Sequence, residues 1–270
     1  MSNSTPQFPN FRVTLVGAVA VLAYNHPETG NSLSHHMLKA LLEATKWAVQ
    51  NPAVRVIVQT GTGKFFTTGK NMAQYSGDFD LSETLQTFKD INETLIKCPK
   101  VLIAAVNGPA VGYGTTCLAL YDLVYSVPDA YFFTPFSKWA LCPEGCSSVA
   151  FPLVIGHQKA AALLLAGDRM TATELSTAGL ISKIIPAPST ESFMTEVLEV
   201  AERIAGYPPV ALAASKKLLN DNRTAELLAA NARECECLVE RLSHQECQDG
   251  IIVFAKEQEQ KKARRDKARI

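Results

Sequence analysis

The sequence has no net charge, no long apolar run and no cysteine framework, and each absence removes a class of function. Its 26 lysines and arginines balance 26 aspartates and glutamates, so no global field draws the chain to nucleic acid or to a membrane surface. No apolar stretch approaches the roughly 18 residues that a membrane span needs. The first residues, Met1 to Asn10, are polar and proline-containing and lack the apolar centre of a targeting peptide. Seven cysteines is an odd number; they read as reduced thiols in an intracellular compartment and as small buried hydrophobes. Cys235-Glu-Cys237 and Cys142-Pro-Glu-Gly-Cys146 lack four-ligand zinc spacing, and no histidine pair completes a site. No metal is expected. No glycine pattern matches a P-loop or a dinucleotide fingerprint. The basic cluster from Lys261 to Arg269 reads as a solvated helix end.

What is there is an ordinary globular composition, 47% hydrophobic and 19% charged over 270 residues, enough for one large domain or two small ones. Val13 to Tyr24 reads as two short strands with a turn at Gly17. Asn25 to Ser32 is a loop by composition. Ser34 can cap a helix whose Leu38, Leu41, Leu42, Thr45 and Val49 share one face, and Asn51-Pro52 ends it. Val54 to Thr60 and Val101 to Val106 are apolar runs of the kind buried on both faces of a sheet, and Leu123 to Val127 is a third. Strands alternating with helices point to parallel crossover units. From about residue 157 the pattern turns helical: 160–166, 171–178, 191–206, 209–219 and 224–262. No internal repeat or long linker is present.

Three stretches carry polar chemistry. Gly63-Lys-Phe-Phe-Thr-Thr-Gly69-Lys-Asn-Met72 and Asn107-Gly-Pro-Ala-Val-Gly112-Tyr113-Gly114 are glycine turns after apolar segments. Such a turn at a helix start aims backbone N–H groups outward, which suits an anion or an oxyanion. It is equally the signature of a tight structural turn. The third, Leu141-Cys-Pro-Glu144-Gly-Cys-Ser-Ser-Val-Ala-Phe-Pro152, sets one carboxylate among apolar residues. A glutamate there is by itself an ordinary residue at a helix N-terminus.

In this order the three stretches resemble the enoyl-CoA hydratase/isomerase (crotonase) superfamily, over roughly Val13 to Lys256. The most specific string is Pro143-Glu-Gly-Cys-Ser-Ser148 with Phe151-Pro152, which looks like the peroxisomal Δ3,Δ2-enoyl-CoA isomerases. Phe65-Phe-Thr-Thr-Gly69, Asn107-Gly-Pro-Ala-Val-Gly112, Ala178-Gly-Leu180 and Pro208-Pro209 before Ser215-Lys216 point the same way. The resemblance implies an α/β fold: a crotonase-like ββα spiral core over 1–200 and a helical C-terminal trimerisation region over 201–270.

It also implies roles. Glu144 would be the acid/base. The backbone amides of Lys70 and Tyr113 would form an oxyanion hole, and Thr68, Gly69, Asn71 and Met72 would bind substrate. No separate cofactor is implied, because coenzyme A is part of the acyl-CoA substrate. Family members often carry smaller residues at 70 and 113, so these two side chains alter the shape and charge around the thioester. Hydratases with two glutamates would place them at Thr116 and Phe136, and neither is acidic here. That favours isomerisation by one carboxylate. Dehydration of a 3-hydroxyacyl-CoA remains open, since some fungal relatives act on mevalonyl-CoA or similar substrates in siderophore pathways. So does a non-catalytic binding module, against which the retained Glu144 argues. The resemblance further implies a homotrimer or a dimer of trimers, with Lys256, Lys261 and Lys262 as candidates for a neighbour's CoA phosphates. The terminal Ala268-Arg269-Ile270 resembles a peroxisomal address read by an import receptor.

Overall fold

The computed structural model describes residues 5–70 and 81–267. Two strands, β1 (Phe11–Val16) and β2 (Val19–Tyr24), pair antiparallel across the turn at Gly17, whose φ of +54° is left-handed and natural for glycine. Helix α1 (His35–Gln50) follows, with the Ser34 side chain accepting from Met37 N–H as its cap. Strand β3 (Val56–Gly61), helix α2 (Leu81–Ile96) and strand β4 (Val101–Val106) come next. Every residue of β2, β3 and β4 is buried, as central parallel strands require.

Two ββα units then repeat: β5 (Ala110–Val111) leads into the short α3 (Tyr113–Thr116), and β6 (Leu123–Ser126) with β7 (Tyr131–Phe133) precedes α4 (Ser147–Ile155). The first strand of each unit joins one sheet and the second joins another. Among the described residues the sheets run β1-β2-β3-β4-β6-β9 and β5-β7-β8, with β8 at Met170–Thr171 and β9 at Lys183–Ile184. This is the crotonase-like α/β spiral. Helix α5 (His157–Ala161) runs into a π turn at Ala162–Ala166; α6 (Ala172–Ala178) and α7 (Thr190–Ala205) follow, and the long helices α8 (Pro209–Ser243) and α9 (Gln245–Lys267) close the chain.

Several expectations need correcting. Helix α2 and the short second sheet have no counterpart in the sequence reading. The C-terminal helices divide at a different place: 220–223 continues α8, and the break falls at His244, which is extended (φ −82°, ψ 141°). Asn220, Asp221 and Asn222 are poor helix formers, but Thr224 bonds back to Asn220 and Lys217 pairs with Asp221. Upstream, buried Lys216 pins α8 to the sheet through Asp122 (2.7 Å) and the Lys100 carbonyl. Tertiary contacts override local propensity here.

Candidate active site

The two glycine turns lie against each other. Thr67 pairs with Ala110 in a parallel bridge, and Val111 N–H donates to the Thr67 carbonyl (3.0 Å). Gly69 has φ +81°, and a Cβ on it would stand 2.6 Å from the Val111 oxygen and 3.7 Å from the Gly112 Cα. Only glycine allows this approach. The residues that follow the two glycines, Lys70 and Tyr113, therefore emerge side by side. Tyr113 opens α3, and its N–H meets no acceptor among the described residues.

The two side chains leave that junction in different directions. Tyr113 turns into the core, where its ring packs on Phe88 (centroids 4.6 Å apart) and its hydroxyl donates to Asn92 Oδ1 (2.8 Å). Burial pushes its phenol well above the ordinary range, so it remains a donor. Lys70 instead reaches Glu144: Nζ lies 2.6 Å from Oε2 and 3.7 Å above the Phe88 ring. Both side chains are nearly closed to solvent, 8% and 6% exposed. Each charge compensates the other where neither alone would be tolerated.

Glu144 stands in a turn made of two successive left-handed residues, Gly145 (φ +65°) and Cys146 (φ +62°). Its carbonyl accepts from Ser147 N–H and Ser147 Oγ, which starts α4. Thr116 lies beneath: a Cβ on Gly145 would meet Thr116 Oγ1 at 2.8 Å. The Thr116 hydroxyl is fully buried and turned toward the Tyr113 carbonyl.

A cavity of about 680 Å³ opens in front of these groups, within the range of small-molecule sites. It brings together Glu144, Lys70, Tyr113, Gly69 and Thr68. Asn71 and Met72, also expected to bind substrate, lie outside the described residues, as does Ala268-Arg269-Ile270. Phe136 lines the cavity and Thr116 does not. Among the described residues the other carboxylate of the lining is Glu257, which is part-exposed beside Lys138 (3.4 Å).

Sequence reasoning missed two polar residues behind the site. Asn231 accepts from Asn92 Nδ2 (2.8 Å), which extends the Tyr113 hydrogen bond into α8. Glu234 accepts from the N–H groups of Cys146 (2.7 Å) and Ser148 (2.8 Å) and from the Ser148 hydroxyl. One signal was available: both fall on the buried stripe Leu227, Ala230, Leu238, Leu242 of α8, where helical spacing calls for apolar residues.

A family model described as enoyl-CoA hydratase/isomerase matches residues 15–264. The chain belongs to this family. Rat enoyl-CoA delta isomerase 2 is 34% identical over 247 residues, 90% of this chain and 62% of the rat protein, so the chain spans less than two thirds of that relative. Mouse peroxisomal enoyl-CoA delta isomerase 3 is 33% identical, covering 87% of this chain and 74% of that one. Human chromodomain Y-like protein is 30% identical over 82% of this chain and 38% of its own length, so the family fold also occurs in proteins whose names describe no acyl-CoA reaction. An enoyl-CoA hydratase/isomerase crystal structure from Pseudoalteromonas atlantica superposes with a TM-score of 0.84 at 28% identity, covering 92% of this chain and 98% of that one.

Proposed function

We propose that the chain is an acyl-CoA enzyme in which Glu144 moves a proton at C2 of a thioester, and that its reaction is Δ3,Δ2-enoyl-CoA isomerisation. The observation that carries this is one buried carboxylate facing the junction of the two glycine turns. Removing an α-proton throws charge onto the thioester oxygen. Backbone N–H groups at Lys70 and Tyr113 would stabilise it, and donors of this type lower barriers by roughly 3–4 kcal/mol each. Glu144 would return the proton to C4 of the dienolate. With Thr116 and Phe136 in place of acids, no second carboxylate is present there to activate a water. The names of the rat and mouse relatives agree with this reading.

A second reading rests on Lys70. Any acyl carbon that reaches Glu144 also meets the Lys70 ammonium, because the two charges are 2.6 Å apart. A C3 hydroxyl held there could accept a hydrogen bond from that ammonium and leave as water with its help. Dehydration of a 3-hydroxyacyl-CoA, mevalonyl-CoA included, is the reaction this would serve. Thr116, turned inward, is not placed to hold the leaving group.

The deciding experiment sets purified protein on 3-enoyl-CoA beside 3-hydroxyacyl-CoAs. Isomerisation of the 3-enoyl-CoA by the wild type is expected. No isomerisation with brisk dehydration of a 3-hydroxyacyl-CoA would give the case to the second reading.

Beyond the site, we propose a homotrimer or a dimer of trimers, for which exposed Leu153 on α4 and Leu165 on the π turn offer apolar surface. A native mass of a single 29.3 kDa chain would contradict it. We also propose peroxisomal import through Ala268-Arg269-Ile270, in keeping with the mouse relative's name. Import that survives deletion of those three residues would show that they are not the signal.

A further inference from the structure

We infer that Glu234 is a positioning residue for Glu144, acting from α8 through the turn that presents the base. The inference rests on the catalytic reading of Glu144 given above.

The turn after Glu144 is strained. Cys146 carries a side chain at φ +62° immediately after Gly145 at φ +65°, and a left-handed residue with a Cβ costs about 1–2 kcal/mol. Such a conformation persists only where the surroundings hold it. Cys146 is also the N-cap of α4, and it makes no side-chain cap, so the first N–H groups of that helix need an acceptor from elsewhere. Glu234 supplies it. Its Oε2 takes the Cys146 N–H and its Oε1 takes the Ser148 N–H and hydroxyl. One carboxylate thus fixes both ends of the bend that aims Glu144 into the cavity.

A carboxyl group at this place carries a cost. Glu234 is 6% exposed. Burial raises its pKa, the three donors oppose that, and the nearby Glu144 carboxylate adds to the rise. An apolar side chain on this stripe of α8 would have avoided desolvation and repulsion, but it would have left the Cys146 and Ser148 N–H groups without an acceptor. Glu234 does not line the cavity, so its effect on chemistry has to pass through the turn.

The test compares Glu234→Gln with Leu227→Ala, a packing change on the same buried face of α8, and uses Glu144→Gln as the reference. The glutamine keeps the shape but turns an acceptor into a donor against the N–H groups. Expected for Glu234→Gln is a fall in kcat of about 10²-fold, the scale of a misplaced catalytic group, with KM within a few-fold. Ser148→Ala, which removes one of the three donors, should show the same split more weakly. Leu227→Ala should lower Tm with kcat kept. Wild-type kcat in Glu234→Gln overturns the inference. So does a kcat loss that Leu227→Ala reproduces at equal loss of Tm, because Glu234 would then be structural only. If Glu144→Gln turns over like the wild type, the catalytic reading itself falls, and the inference with it.

Discussion

Lys70 both supplies a backbone group to the junction of the two turns and sends its side chain back to cover the carboxylate. An ammonium and a carboxylate 2.6 Å apart with under a tenth of either side chain exposed lie in a low-dielectric setting where removing one partner costs roughly 3–5 kcal/mol. Lys217 and Asp221 are just as close in α8 but 73% and 51% exposed, and such surface pairs contribute about 0.5 kcal/mol or less. Lys70→Met should therefore lower unfolding free energy by about 3 kcal/mol in a denaturant titration, and Lys217→Met should barely change it. Equal effects would mean that the Lys70–Glu144 pair is open to water in solution.

At the scale of elements, backbone geometry decides where the site groups stand. Gly69 and Gly156 both have strongly positive φ, +81° and +79°, but a Cβ at Gly69 meets the Val111 carbonyl at 2.6 Å, whereas one at Gly156 meets nothing within 4 Å. Each Gly→Ala change brings backbone strain of about 1–3 kcal/mol. Only Gly69→Ala also forces the two turns apart. Turnover should fall by about 10²-fold in Gly69→Ala and stay near wild type in Gly156→Ala, with native circular dichroism in both. Comparable activity in the two variants would mean that contact between the turns is not needed.

These elements also mark what the sequence made legible. The hairpin at Gly17, the Ser34 cap, β4 and the two glycine turns were readable because each is set by chemistry within a few residues. Helix α2 was missed, and so was the continuation of α8 through 220–223, just upstream of which Lys216 anchors the helix to Asp122, 94 positions away. Glu144, Lys70 and Tyr113 were expected at the site from the family resemblance that short motifs carry, but nothing local told that the Lys70 side chain folds onto Glu144 while that of Tyr113 turns away. Glu234 stayed hidden for the same reason: its partners lie 86 and 88 positions upstream.

Over the whole molecule, the spiral carries the two glycine turns and the Glu144 turn to one cavity from three separate stretches of chain, and α8 closes it from behind. Asn231 reaches the Tyr113 turn through Asn92, and Glu234 reaches the Glu144 turn, so one helix face braces both halves of the site. On the proposed reading, isomerisation and dehydration would share the same first act, removal of a proton from C2 by Glu144. Solvent exchange measures that act alone, independently of whether isomerisation or dehydration completes the turnover. Incubated with a saturated acyl-CoA in deuterium oxide, the wild type should place deuterium at C2. Glu144→Gln should do so more slowly by roughly the 10²–10⁴-fold that general acid–base groups contribute, while still binding the thioester. Exchange at the wild-type rate in Glu144→Gln would contradict the assignment of Glu144 as the base.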